Sequence, residues 1–272
     1  MVVLIFGATG GVGSAVARQL VAEGTSAYLS GRDESRLRSL GEALSCATSP
    51  ADSLADGALE RVVADAGEQI EGLVYAIGSV TLKPLGRTTD ADMLHDFQLN
   101  ALGAARAVRA ALPALKRAGN ASVVLFSTVA AGHGFAFHSS IAMAKGAVEA
   151  LTRSLAAELA PRIRVICIAP SLTRTSLTAG LVATEQAEAA TAMSTTLPRW
   201  PRSCCPNAPL GSPGRCSQWT GAAQRWRVPA DISAADPNPC SGGGLGSEFC
   251  DTGGCLLERN SPSEAQSSLR LT

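Results

Sequence analysis

The chain has few side chains able to exchange a proton near neutral pH or to donate one as a phenol: two tyrosines, Tyr28 and Tyr75, and three histidines, His95, His133 and His138, in 272 residues. It has no net charge either, with 23 basic against 23 acidic side chains and no massed run of lysine or arginine. A nucleic acid or an anionic membrane attracts such runs, so neither is expected as a partner. The first apolar run, Val2-Val3-Leu4-Ile5-Phe6, is only five residues long and no basic segment precedes it. It reads as neither a signal peptide nor a membrane span, and the cytoplasm is the expected compartment. Cysteine in metal-binding spacing is lacking as well. The eight cysteines include no C-x-x-C pair, and the nearest approaches, Cys204-Cys205 and Cys250-x4-Cys255, have no histidine close by. No metal site is expected, nor disulfides in a chain without an export signal.

What is present begins at once. The apolar run leads into Gly7-Ala8-Thr9-Gly10-Gly11-Val12-Gly13 and then into the helical stretch Ser14 to Ala22. Strand, glycine turn and helix in that order suit a nucleotide diphosphate. Gly7 permits the tight turn, Gly11 lets the backbone approach the phosphates, and Gly13 lets the helix pack closely on the sheet, while the helix N-terminus offers N–H donors and a positive dipole end. The spacing is G-x-x-x-G-x-G, not G-x-G-x-x-G.

Further along, strand-like runs at 2–6, 27–30, 72–76, 122–127 and 163–168 alternate with helical stretches at 12–23, 34–43, 54–66, 91–116 and 141–159. The pattern predicts an α/β fold, a doubly wound parallel sheet of the Rossmann type covered on both faces. One expected strand, between Ala43 and Pro50, is poorly written, and only Leu44-Ser45-Cys46-Ala47 offers it. Beyond Ala190 the composition changes: all three tryptophans and nine of the fourteen prolines lie there. The expected organisation is a dinucleotide-binding domain over 1–190 and an irregular, disordered tail over 191–272, too poor in periodic apolar residues to offset its ordering entropy.

Further motifs resemble the short-chain dehydrogenase/reductase family over residues 1 to about 185. Val74-Tyr75-Ala76-Ile77-Gly78 stands where that family has its N-N-A-G turn, and Asn100 matches the helix asparagine of its proton relay. Ser127-Thr128 stands for its Ser-Ser pair, Lys145-Gly146-Ala147-Val148 follows the pattern after its catalytic lysine, and Ala169-Pro170-Ser171-Leu172-Thr173-Arg174-Thr175 resembles its P-G-x-x-x-T loop. The resemblance implies cofactor contacts from Gly7, Thr9, Gly11, Val12, Gly13, Arg32, Ala76, Asn100, Lys145, Pro170, Thr173 and Thr175. It implies a reaction centre of Asn100, Thr128, Lys145 and Ser127. Thr128 precedes residue 141 by the family's usual interval of thirteen, and Ser127 is the alternate.

The chain departs from the family at the reaction centre. Tyr-x-x-x-Lys puts a phenol one helical turn from an ammonium that lowers its pKa, but the position four before Lys145 is Ile141. An alkyl group neither gives nor takes a proton. His138 and Ser140, just ahead of the helix, are the nearest substitutes, His138 being the better donor near neutral pH; His133 and His95 have weaker claims.

Cofactor type turns on Tyr28-Leu29-Ser30-Gly31-Arg32-Asp33. A carboxylate at the strand end would bind the ribose 2′-hydroxyl of NAD, and a guanidinium accepts the 2′-phosphate of NADP. Arg32 favours NADP, with NAD second, while Ala47 stands where the family often has an aspartate touching adenine. The family's closing strand, near I-T-G-Q-x-x-x-V-D-G-G, is missing from the tail. Gln218-Trp219-Thr220 written CAG-TGG-ACN contains GTG-GAC, Val-Asp, and Leu210 through Trp226 can be recoded to W-I-T-G-Q-M-F-A-V-D-G-G-R-S-T-L. A one-base shift between about Gly180 and Ser194 accounts for it. The last strand is therefore expected to be missing, and homo-oligomers through the long helices to be weakened. The functional expectation is an NADP(H)-dependent oxidoreductase of a small carbonyl or alcohol. Its alternatives are a non-catalytic NADP(H)-binding sensor or partner subunit, and the inactive product of a frame-shifted gene.

Overall fold

A computed structural model describes residues 2–171, 173, 175–179 and 216–218. Five strands follow one another with helices between them: β1 (Val2–Phe6), α1 (Gly11–Ala22), β2 (Ala27–Gly31), α2 (Glu34–Leu44), β3 (Ala47–Pro50), α3 (Ala58–Ala66), β4 (Ile70–Tyr75), α4 (Asp90–Phe97), α5 (Gly103–Ala118) and β5 (Ala121–Phe126). The short α6 (Val129–His133), the long α7 (Ser139–Leu159) and β6 (Ile163–Ala169) come next. All pairings are parallel, in the order β3-β2-β1-β4-β5-β6, and a three-residue strand β7 (Cys216–Gln218) continues the sheet beside β6. This is the expected doubly wound parallel sheet.

Strand alternation divides the core into two layers. Val3 and Ile5 of β1 face Val16, Ala17 and Leu20 of α1 and Leu37 and Leu40 of α2. Leu4 and Phe6 face the opposite layer, where α3, α5 and α7 contribute Leu59, Val62, Ala107, Leu115, Val148 and Leu159. Because successive side chains point to opposite faces, five apolar residues in a row serve both layers at once. The strand order reverses between β1 and β4, and ligands of open α/β sheets bind outside the carboxyl ends at such a point.

Four expectations are corrected. The strand sought at 44–47 is Ala47–Pro50, an edge strand with one buried residue, Ser49, and so without an apolar signature. The helix expected over 54–66 begins at Ala58, after a left-handed Gly57. The helix expected over 91–116 is two helices joined by a π turn, Gln98–Leu102. The edge of β6, expected to stay bare, carries β7, paired through Cys167 with Cys216 and Ala169 with Gln218. Pairing of this kind uses backbone groups that any sequence possesses, so a departure from the family's closing motif does not prevent it. The rest of the tail, with its expected disorder and the 190/191 boundary, lies outside the described residues. Among the described residues no helix is long and apolar enough to cross a membrane.

Candidate active site

The glycine loop turns at Gly7, whose φ of +78° is left-handed, and a side chain there would stand 2.9 Å from the backbone of Ala76 and Ile77. The amide of Ala76 in turn donates to the Phe6 carbonyl at 2.9 Å, locking the end of β4 beside the loop. A Cβ on Gly13 would run into the Gly7 carbonyl, and one on Gly11 would run into the Thr175 side chain. Gly10 caps α1 in an extended conformation with no side-chain hydrogen bond, so the first-turn amides point outward without a side-chain acceptor. Thr175 is fixed over the loop by Thr178: the Thr175 amide donates to Thr178 Oγ1 at 3.0 Å, and Thr178 Oγ1 donates to the Thr173 carbonyl at 2.6 Å. The Pro170 carbonyl accepts from the Val129 amide at 3.2 Å, joining this segment to the start of α6. The structure thus brings Gly7, Gly11, Gly13, Ala76 and Thr175 to one rim.

At the end of β2, Arg32 is exposed, and Asp33 caps α2 by accepting from the Arg36 amide at 3.0 Å. The arginine that touches the loop is Arg36, whose Nη2 donates to the Thr9 carbonyl at 3.1 Å. Arg36, Arg18, Thr9, Ser14, Ser35 and Ser39 line most of a cleft of about 440 Å³ between α1 and α2. Sequence reasoning chose Arg32 from its place after the strand. Arg36 lies one helical turn further on, and the signal available for it was the capping Asp33, which fixes where α2 begins.

The second half of the site lies where α7, the π turn and the end of β4 meet. Lys145 is 9% exposed, and its Nζ donates to the Phe126 carbonyl at 2.8 Å. Burial holds its ammonium down to about 8, with Cys167 and Asp96 drawing it partly back up. Asn100 sits in the π turn, 1% exposed; its Nδ2 donates to Ser79 Oγ at 2.9 Å and to the Asp96 carbonyl at 2.8 Å, while its Oδ1 is buried without a partner. A Cβ built on Gly78 would lie 2.9 Å from Asn100 Oδ1 and 3.3 Å from Lys145 Nζ, so both atoms face the same stretch of backbone. The π turn that aims Asn100 is held from below. Tyr75 Oη donates to the Leu99 carbonyl at 2.8 Å, and burial pushes the Tyr75 hydroxyl above the usual phenol range.

Ser127 and Thr128 have separate duties. Ser127 is buried and donates to Glu149 Oε1 at 2.7 Å, which turns it toward α7. Thr128 is half-buried at the start of α6 and accepts from the Ala130 amide at 3.3 Å. Ile141 is 3% exposed. The substitutes for a phenol do not converge on it. Ser140 Oγ donates to Asp96 Oδ2 at 2.6 Å, and the His138 ring lies tilted against Phe135, centroids 5.6 Å apart, with its Nδ1 2.7 Å from the Ala136 carbonyl. His133 Nδ1 lies 3.2 Å from the Val129 carbonyl within α6, and His95 stands in the last turn of α4. Among the described residues no group of three histidine, cysteine or acidic side chains is arranged to hold a metal ion.

A glycine cradle that side chains would fill, a cationic cleft beside it, and a buried amide oxygen and an ammonium turned to one point together fit a dinucleotide. Comparison with known proteins agrees. A family model described as Enoyl-(Acyl carrier protein) reductase matches residues 7–203. The chain is 32% identical over 190 residues to dehydrogenase/reductase SDR family member 4 of Pongo abelii, covering 64% of this chain and 66% of that protein. It is 30% identical over 184 residues to the human mitochondrial dehydrogenase/reductase SDR family member 2. It thus spans about two thirds of the length of these relatives. Among solved structures, a short-chain dehydrogenase/reductase (glucose/ribitol dehydrogenase) of Brucella melitensis is 31% identical with a TM-score of 0.64, covering 66% of this chain and 76% of that one. A short-chain dehydrogenase of Streptomyces avermitilis is 31% identical with a TM-score of 0.61, covering 65% and 67%. The chain belongs to the short-chain dehydrogenase/reductase family, an oxidoreductase family.

Proposed function

We propose that the chain is an NADP(H)-linked oxidoreductase acting on a small carbonyl or alcohol, in the cytoplasm, paired with a second copy through its long helices. The observation that carries the reading is the convergence of Asn100 Oδ1 and Lys145 Nζ at Gly78, beside the glycine cradle. When bound, the nicotinamide supplies or takes the hydride. The residues of the chain bind and orient, and with Ile141 at the phenol's position none of them is assigned the proton that a carbonyl oxygen takes up. The α1 amides and Thr175 hold the diphosphate, Lys145 holds the nicotinamide ribose, and Thr128 orients the substrate oxygen.

The choice of NADP rests on the cleft beside Thr9. Two guanidinium groups and hydroxyls of Ser14, Ser35 and Ser39 line it with no carboxylate among them, and the strand ahead of it ends in Gly31 where an NAD site would place an acid. Fluorescence titration of NADPH and NADH tests this directly. Arg36→Ala is expected to weaken NADPH about tenfold or more while leaving NADH nearly unchanged, since one charge-assisted hydrogen bond contributes about 1.5–3 kcal/mol. Equal loss for both cofactors overturns the assignment. The same titration, run with a panel of carbonyl compounds, tests turnover: NADPH binding without any oxidation replaces this reading with a binding protein.

A further inference from the structure

One buried acid has no part in the scheme above. Asp96 closes α4, is 0% exposed, and its carboxylate accepts three hydroxyl hydrogen bonds: from Ser79 at 2.6 Å and Thr81 at 2.9 Å on Oδ1, and from Ser140 at 2.6 Å on Oδ2. None of these donors is a cation, and the ion pairs of Arg38 with Glu34 and of Lys83 with Asp92 lie elsewhere. Buried carboxylates are seldom left without a compensating charge. The three donors come from separate places: Ser79 and Thr81 from the segment after Gly78, Ser140 from the first turn of α7.

We propose that Asp96 is the positioning residue of this reaction centre, which holds Lys145 in its charged form and the first turn of α7 in place. This rests on the reading of the site as a dinucleotide-linked reaction centre. Ser79 Oγ donates to Asp96 and accepts from Asn100 Nδ2, and Asn100 Oδ1 and Lys145 Nζ both face the backbone at Gly78. Hydrogen bonds therefore lead from the carboxylate to Asn100, whose unpartnered Oδ1 faces the same stretch of backbone as the lysine ammonium. Ser140 ties the carboxylate to the residue next to Ile141, on the helix that carries Lys145. In a family pattern with tyrosine at 141, the phenol and the lysine share one proton-handling unit. In this chain the lysine has lost that neighbour, and the ionisable groups left acting on it are the Cys167 thiol and the Asp96 carboxylate. An opposite charge in a low-dielectric interior favours the ammonium that burial disfavours.

Other charged groups on the surrounding elements are accounted for. On α4 itself, Asp92 is bonded to Lys83 and Thr89, held down to about 2 and thus ionised throughout, while Asp90 and His95 stand in its first and last turns. On α7, Glu149 accepts from Ser127, and on β6, Cys167 acts on Lys145.

The chain contains only three lysines, Lys83, Lys116 and Lys145, so a full-length protein carrying [ε-13C]lysine gives three resolvable titration curves. Asp96→Asn keeps the shape and removes the charge. It is expected to lower the Lys145 midpoint by about one pH unit, tenfold in proton affinity, while Lys116 stays put. Ser140→Ala removes only the tie to α7 and is expected to move that midpoint by less than about 0.3 of a pH unit. An unmoved Lys145 in a folded Asp96→Asn protein overturns the proposal, as does an equal shift in Ser140→Ala. If Asp96→Asn does not fold, wild-type protein labelled with [γ-13C]aspartate decides: a buried carboxyl resonance with a step at the Lys145 midpoint supports the coupling, and a flat one overturns it. Adding NADPH to the wild type separates the two claims. A Lys145 resonance that ignores the cofactor sinks the dinucleotide reading and leaves the Asp96 coupling to be judged by the variants.

Discussion

Replacing Lys145 by methionine should make the protein more stable at neutral pH, at the expense of its site. The lysine is 9% exposed and titrates at about 8 rather than its ordinary 10.5. That difference corresponds to roughly 3 kcal/mol of destabilisation while the side chain is protonated in the fold. The sign follows from proton counting. Between about 8 and 10.5 the unfolded chain binds the proton that the folded one releases, so wild-type stability from this group rises with pH across that window. Below about 8 both states are protonated and the full penalty is present. Methionine has a similar length, no charge, and loses the hydrogen bond to the Phe126 carbonyl, which returns about 1 kcal/mol of the gain. The net expectation at pH 7 is a stabilisation of about 2 kcal/mol, or roughly 4–8 °C in melting temperature for a domain of this size. Urea unfolding of both proteins at pH 7, 9 and 10.5 checks it, because titrations common to the two cancel in the difference. The gain should fade as the pH rises through the window. A methionine variant that is no more stable at pH 7, or a difference that does not change with pH, refutes the claim that this ammonium is held against its solvation.

Three further outcomes are expected. Gly13→Ala puts a methyl group onto the Gly7 carbonyl and should lower stability by about 1–3 kcal/mol and NADPH affinity at least tenfold, read from thermal melts with and without cofactor. Tyr75→Phe leaves the Leu99 carbonyl of the π turn without its donor and should cost about 1–3 kcal/mol in urea unfolding; a neutral result would mean that the turn does not depend on that bond. Ile141→Tyr restores a phenol one turn ahead of Lys145 and should raise NADPH oxidation with a reactive carbonyl by roughly 10²–10⁴-fold. A variant that binds NADPH like its parent and still oxidises none would show that residue 141 does not face the reacting carbonyl.

The glycine loop, the five interior strands and the faces of α1 and α2 were legible in the sequence because each depends on short-range pattern: small residues at fixed spacing, or apolar residues serving both layers. What escaped notice depends on residues distant in sequence. The π turn at Gln98–Leu102 has no local marker, since the Leu99 carbonyl it frees is taken by Tyr75, 24 residues earlier. Asp96 lies in an acid-rich stretch, with Asp90 and Asp92 before it, and reads as a solvated helix face; its burial follows from hydroxyls at 79, 81 and 140. Arg36 was hidden among its neighbours, because four arginines between 32 and 61 flank the same strand ends and only the Asp33 cap decides which one swings back to Thr9. Ile141, by contrast, was plain from the sequence, and the structure adds that its side chain is buried.

These facts separate two properties that usually travel together. Cofactor binding in this architecture relies on backbone amides and on the absence of side chains at three glycines, and all of that is intact. Proton transfer relies on one functional group at one position, and there an alkyl group stands. Interactions made equally with ground and transition states lower the concentration of cofactor needed without raising the rate of the chemical step. The cradle therefore predicts affinity and says nothing for speed. Speed depends on whether Lys145, kept charged within a buried site, can serve an oxygen that Thr128 orients. On this argument, changes at Gly13 and Arg36 should move dissociation constants, whereas changes at Ile141 and Asp96 should move the rate and its pH dependence, and a variant set that failed to divide along that line would dissolve the distinction between the two halves of the site.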